Sequence, residues 1–164
     1  MKGNVLTVQR VVPAAPDVVF DILADVSRHH LIDGSGMLQG AKEGNPVRLA
    51  LGSTFGMGMK LMVAYSTVNR VVEFEENRLI VWKTGPEGWM GRVVAGRVWR
   101  YELEPVEGGT LVKESWDITT DHQRFLLKLG DIYSGKTRRD MERTLERLSK
   151  LVAGEGVPGG QSHP

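Results

Sequence analysis

Apolar residues recur along this chain with two different periods. Over residues 121–152 the period is helical: Phe125, Leu129, Ile132, Tyr133, Met141, Leu145, Leu148, Leu151 and Val152 fall mostly three or four apart, which lays one stripe along a helix. The opposite side carries Lys128, Arg138, Arg139, Glu142, Arg143, Glu146, Arg147 and Lys150, with Glu146 and Lys150 spaced for an ion pair. The spacing predicts one long helix over 121–152, whose stripe needs a sheet to lie in.

Earlier in the chain the period is two. Leu6 and Val8 alternate with Val5, Thr7 and Gln9 in a first strand that ends at Pro13. Pro16 and Asp17 then open a helix in which Val19, Ile22, Leu23 and Val26 form a stripe. A second short helix is expected from about Ser27, with Ser27 as its cap. A short strand is expected over 37–41, and longer ones over 54–61, 62–74, 78–84, 95–104 and 110–119. Turn signals at Glu75-Glu76-Asn77, Gly85-Pro86-Glu87-Gly88 and Glu107-Gly108-Gly109 separate the later strands. The Gly/Pro-rich tail, 154–164, reads as disordered, leaving one domain over 1–153.

One strand, two short helices, a run of antiparallel strands and a last long helix make an α+β chain. In this order the chain resembles the START/Bet v 1-like (SRPBCC) superfamily, in particular its bacterial polyketide cyclase/dehydrase-like group. The residues that carry the resemblance are Ala15-Pro16-Asp17-Val18-Val19-Phe20-Asp21-Ile22-Leu23-Ala24-Asp25, Leu51-Gly52-Ser53-Thr54-Phe55, and the run from Val71 through Glu73-Phe74-Glu75-Glu76-Asn77-Arg78 to Trp82. The resemblance implies a helix-grip fold, a curved antiparallel sheet wrapped around the C-terminal helix with a cavity between them. It also implies an apolar ligand such as a lipid or polyketide, and in some members cyclisation or dehydration.

The hairpin closed at Glu107-Gly108-Gly109 is the most informative stretch for chemistry. A tight turn there puts Arg100, Glu102, Glu104, Lys113, Ser115 and Asp117 on one wet face, with Glu102 or Glu104 near Lys113 and Arg100 near Asp117. Trp99, Tyr101, Leu103, Val112 and Trp116 then share the face turned to the long helix, and Glu114 falls among them. A carboxylate at that position is partnered, shifted upward in pKa, or reached by water. It reads either as a strand-edge group that finds solvent or an Arg, or as a polar anchor or acid/base group in an apolar pocket. Arg97 has the parity of Trp99 and is a possible partner for it or a ligand anchor, at a strand start where the end could be solvated. Tyr65 and Asn69 share one parity and could add a hydroxyl and an amide. The candidate catalytic residues are therefore Glu114 and Tyr65.

The aromatic and methionine residues Phe55, Met57, Met59, Trp82, Trp99, Tyr101, Trp116, Phe125 and Tyr133, with Leu129 of the helical stripe, are expected to wall the pocket. Each alone reads as ordinary core; as a set, flexible methionines and broad aromatic faces suit varied apolar guests. Phe55-Gly56-Met57-Gly58-Met59 alternates bulk with glycine, so one face of that strand is bulky and the other bare.

Residues 130–137 match the phosphate-loop pattern G-x-x-x-x-G-K-[ST], but a helical approach, bulky Ile132 and Tyr133, and the short chain that follows argue for coincidence. Gly130, Ser134, Gly135 and Thr137 read instead as a small-residue waist in the stripe. The 164-residue chain has a net charge of +1 and 25% charged residues, so no strong overall field for nucleic acid or membrane is expected. Lys136, Arg138, Arg139, Arg143 and Arg147 are interleaved with Asp140, Glu142 and Glu146, the pattern of a solvated helix face rather than a nucleic-acid interface. Absence of cysteine excludes disulfides and thiol chemistry and is compatible with a cytoplasmic setting. The N-terminal residues do not read as a signal peptide, and no apolar run is long enough to span a bilayer. The four histidines, His29, His30, His122 and His163, offer no zinc-site spacing, so neither a metal nor another cofactor is expected. The expected function is binding, transport or sequestration of a small hydrophobic or amphipathic ligand. A cyclase or dehydratase using the same cavity is the alternative. The sequence is silent on oligomeric state.

Overall fold

A computed structural model of the chain describes residues 3–60, 64–86 and 96–154, without the side chains of Ala64, Tyr65, Pro86, Ile132, Tyr133 and Ser134. The expected strand junction at 61–63, the 87–88 half of the expected 85–88 turn and the expected disordered tail beyond Gly154 lie outside the described residues, while Gly85 and Pro86, expected to open that turn, continue the strand and pair with Val68 and Thr67. The elements are β1 (Val5–Val12), α1 (Pro16–Ala24), a 3-10 turn (Val26–Arg28), α2 (His29–Ile32), β2 (Leu38–Ala41), β3 (Thr54–Lys60), β4 (Ala64–Glu75), β5 (Leu79–Pro86), β6 (Arg97–Val106), β7 (Gly109–Asp117), α3 (Arg124–Ser134) and α4 (Lys136–Val152).

The seven strands of the described residues form one antiparallel sheet in the order β1-β7-β6-β5-β4-β3-β2. Only β1 is out of sequence order; it returns to the far edge and pairs with β7. The curled sheet closes over the helices in a helix-grip fold, as the pattern of one strand, two helices, six strands and a terminal helical segment predicts. A register shift between Val71 and Glu73 lets β4 bend against β5.

Side-chain alternation fixes which face is concave. One cross-strand row runs Leu6–Trp116–Trp99–Trp82–Val71, and its neighbour runs Val8–Glu114–Tyr101–Ile80. Most of these side chains are buried, together with Val19, Phe20, Ile22 and Leu23 of α1 and Met141, Leu145 and Leu148 of α4. The opposite face is wet, as the hairpin parity requires. Its pairing differs in one respect: Arg100 bonds Glu73 at 3.1 Å and Glu102 at 3.4 Å, whereas Asp117 lies opposite Val98. Lys113 pairs with Glu104 at 3.6 Å.

Two local expectations are corrected. The segment over 121–152 is two helices, Arg124–Ser134 and Lys136–Val152, because Gly135 adopts φ 55°, ends α3 with its N–H on the Asp131 carbonyl, and stands as the cap from which α4 starts. Asp25, not Ser27, caps the turn after α1: its Oδ1 accepts from the Ser27 N–H at 2.9 Å and the Ser27 hydroxyl at 2.6 Å. The 130–134 part of the phosphate-loop pattern is helical and follows helix rather than strand, so its N–H groups do not form an anion cradle. The expected Glu146–Lys150 ion pair forms at 2.7 Å.

Candidate functional site

The space between sheet and helices is a partly open cavity of about 570 Å³. Strand parity supplies its floor: Met57 and Met59 from β3, Thr67 and Asn69 from β4, Trp82 and Thr84 from β5, Arg97, Trp99 and Tyr101 from β6, and Glu114 and Trp116 from β7. The roof comes from Leu126, Leu127, Gly130 and Asp131 of α3 and from Thr137, Asp140, Met141 and Thr144 of α4. One side is closed by Leu23, His29 and Ile32 and by the turn through Asp33, Ser35 and Met37.

That side is anchored by polar contacts to α4. The Thr144 hydroxyl accepts the Gly34 N–H at 3.0 Å, and Arg147 donates to the Asp33 carbonyl. The Asp33 carboxylate accepts from the Ser35 N–H and hydroxyl and from the Leu38 N–H, which holds the turn in shape. Gly34 sits so close to α4 that a Cβ there would stand 2.0 Å from the Asp140 carbonyl oxygen.

The wall is aromatic and ordered. His29 stacks on Trp82 at 5.7 Å and Trp82 on Tyr101 at 5.3 Å, and Trp99 faces Trp116 at 6.3 Å. The stack ends in a polar contact: the Tyr101 hydroxyl donates to Glu114 Oε1 at 2.8 Å. Glu114 is 2% exposed, and its Oε2 is the one buried side-chain nitrogen or oxygen without a hydrogen-bond partner among the described residues. Burial raises the Glu114 pKa to about 8; the Tyr101 hydrogen bond opposes the rise and the nearby Asp33 charge adds to it. Burial likewise raises the Tyr101 phenol well above its ordinary value, with Glu114 contributing.

The reading of Glu114 as a solvent-reaching or Arg-paired group is therefore overturned, and Arg97 is not its partner. Arg97 Nε binds the fully buried Asp121 at 3.0 Å, while the residue still lines the cavity. Asn69 is buried on the wall, and its Oδ1 accepts from the Thr84 hydroxyl at 2.6 Å. Phe55, expected on the wall, lies behind it as core against His29 and Trp82. Phe125 and Leu129, also expected there, are 73% and 41% exposed and do not line the cavity; Leu126, itself 68% exposed, Leu127 and Gly130 line it from α3 instead. The side chains of Tyr65 and Tyr133 lie outside the described residues.

His29 was not among the expected site residues. It is 6% exposed, and its Nε2 donates to the Leu23 carbonyl at 2.8 Å, so Nδ1 carries the lone pair of a neutral ring. Burial lowers its pKa, against the Leu23 hydrogen bond. The available signal was its place three residues before Ile32 on the apolar side of a very short helix. Among the described residues, no group of three or more histidines and carboxylates is placed to hold a metal, and no helix is long and apolar enough to cross a membrane.

A curled antiparallel sheet gripping terminal helices over an aromatic cavity defines a helix-grip protein of the SRPBCC type. The chain belongs to the family described as polyketide cyclase / dehydrase and lipid transport, whose profile matches residues 5–153. It is 34% identical to an uncharacterized protein of Mycobacterium tuberculosis, over 93% of this chain and 71% of that protein. The fold is similar to a Mycobacterium smegmatis protein of 12% identity, with a TM-score of 0.68 over 92% of each chain. It is also similar to a polyketide_cyc-like protein of Corynebacterium glutamicum of 20% identity, with a TM-score of 0.58 over 99% of this chain and 100% of that one.

Proposed function

We propose that this protein binds a small hydrophobic or amphipathic molecule, such as a lipid or a polyketide, in the cavity between sheet and helices, and so carries or sequesters it. The observation behind this reading is the wall itself: about 570 Å³ faced by Trp82, Trp99, Trp116, Met57 and Met59. Burying a guest's apolar surface there gains roughly 25 cal/mol per Å² before the cost of immobilising it. Polar groups interrupt that apolar wall, Asn69, Thr84, Arg97, Tyr101 and Glu114 among them, and these would orient a guest.

Native mass spectrometry and tryptophan-fluorescence titration with a panel of fatty acids, lipid esters and fused-ring aromatics test the reading. At least one class should bind at a single site and shift the indole emission. No binding by any class would contradict it.

A second reading is favoured by one observation: Glu114 keeps its proton at neutral pH beside a phenol, as a general acid would. A cyclase or dehydratase using it would lose turnover but keep ligand binding in Glu114→Gln, and unchanged turnover in that variant would remove Glu114 from such a mechanism.

A further inference from the structure

We propose that Glu114, held by Tyr101, is a hydrogen-bond donor in the cavity wall that selects guests carrying a neutral acceptor, a carbonyl oxygen, on their buried part. The proposal rests on the reading of the cavity as a ligand site and adds the chemistry its guest must bring.

The geometry has three parts. Tyr101 has one hydroxyl hydrogen, and it is spent on Glu114 Oε1 at 2.8 Å. With Oε1 accepting that bond, the proton of the un-ionised carboxyl sits on Oε2, and no acceptor of the described protein meets it. A buried donor left without a partner is costly and rare in native structures, so a guest that brings the acceptor is favoured over one of equal shape that does not.

The acceptor is neutral because of what surrounds it. Asp33 is the charged group that acts on Glu114, and its negative field disfavours a second anion beside it. An ammonium guest would need Glu114 ionised, which its burial opposes.

The other titratable groups on the cavity wall are His29, Asp33, Arg97, Asp131, Lys136 and Asp140. Arg97 is paired with Asp121, and Lys136 with Asp140. Burial keeps His29 neutral to below its ordinary range, and Tyr101 keeps its proton to well above the ordinary phenol range. A change in guest affinity as pH passes about 8 therefore belongs to Glu114.

The test uses three probes of one shape: diphenylmethane, its ketone benzophenone, and its ammonium analogue benzhydrylamine, titrated by ligand-observed NMR. The ratio of ketone to hydrocarbon affinity should be about tenfold higher in the wild type than in Glu114→Leu, the effect of one hydrogen bond to a buried donor. In the wild type the ketone affinity should fall as pH rises through about 8. In Glu114→Gln the ratio should persist and the pH dependence vanish, because the amide still accepts from Tyr101 and still donates to the guest. Should Glu114→Leu fail to fold, the pH profiles of wild type and Glu114→Gln decide.

An equal ketone preference in wild type and Glu114→Leu would overturn the proposal. So would a preference for benzhydrylamine that strengthens with pH. Binding of diphenylmethane without a ketone preference overturns the donor site and leaves the cavity reading standing; failure of the whole apolar panel overturns both.

Discussion

Glu114 affects stability as well as recognition. Its carboxyl ionises near 4.5 when free of the fold and near 8 within it, so between those values the native state holds a proton that the unfolded chain has released. The stability this residue contributes is full below about pH 4.5 and declines toward pH 8, by up to roughly 1.4 kcal/mol per unit. Thermal melts of wild type and Glu114→Gln should therefore diverge in favour of the variant as pH rises from about 5 to about 8, and then run parallel. A difference in Tm that does not change with pH would mean that Glu114 is ionised in the native state. His29 acts in the opposite direction: its lowered pKa lets the unfolded chain take up a proton first as pH falls below 6.5, which destabilises the fold on the acid side.

How much of this the sequence carries depends on the residue. Parity in the Glu107-Gly108-Gly109 hairpin places Glu114 on the apolar face without any coordinates, because period-two alternation leaves a strand residue only two faces. Whether it meets Tyr101 or solvent depends on register with β6 and on cover from the helices, which are long-range facts. His29 was illegible for a related reason: a four-residue helix has too few positions to show a stripe, and its burial is decided by Trp82 and Phe55, more than twenty residues away.

At the scale of elements, the strands follow from alternation and turn residues, the pairing of β1 with β7 is a long-range fact they do not carry, and the long terminal helix does not survive as one rod. Its stripe is continuous in sequence, yet Gly135 adopts a left-handed conformation that breaks the axis. The small residues around it mark the place, but small residues are also compatible with a continuous helix lined by a groove. Phe125 and Leu129, read as part of one stripe, are exposed, while Leu126, Leu127 and Gly130 line the cavity from α3. Two glycine substitutions should separate conformational strain from collision. Gly135→Ala should cost about 1 kcal/mol, the penalty of the left-handed conformation. Gly34→Ala should cost more, roughly 2 kcal/mol or above, because its Cβ would collide with α4 backbone that cannot move alone. Equal urea midpoints for the two variants would contradict this account of how the α2 turn is clamped to α4.

Gly130 offers the complementary test. It lies in α3 on the cavity roof, and a Cβ there would meet nothing within 4 Å. Gly130→Trp should leave the protein folded, with up to about 1 kcal/mol gained by removing a helical glycine, while its indole occupies the space meant for a guest. Circular dichroism melts paired with the ligand panel read both effects. Undiminished binding by a stably folded Gly130→Trp protein would show that guests do not enter beneath α3.

For the molecule as a whole, the fold and the family were legible because a helix-grip sequence declares its order of elements: one strand, two small helices, a meander of strands and a helical end. The size of the interior was not, since Trp82, Trp99 and Trp116 could equally pack against one another and fill it. α4 packs along β1 at the sheet edge, and α3, ended at Gly135, contributes Leu126, Leu127, Gly130 and Asp131 to the roof over the space that remains. The wet face contributes little to this arrangement: Arg100, Glu73, Glu102, Glu104 and Lys113 form half-exposed pairs, worth about 0–1 kcal/mol each.

The central claim is that an apolar guest sits inside, against the tryptophans. Intermolecular nuclear Overhauser effects from a bound probe such as methyl laurate measure this directly. Contacts from its chain to the indole protons of Trp99 and Trp116 and to the Met57 methyl are predicted. Contacts confined to the exposed Phe125 and Leu129 side chains, with the indoles of Trp82, Trp99 and Trp116 silent, would contradict the account.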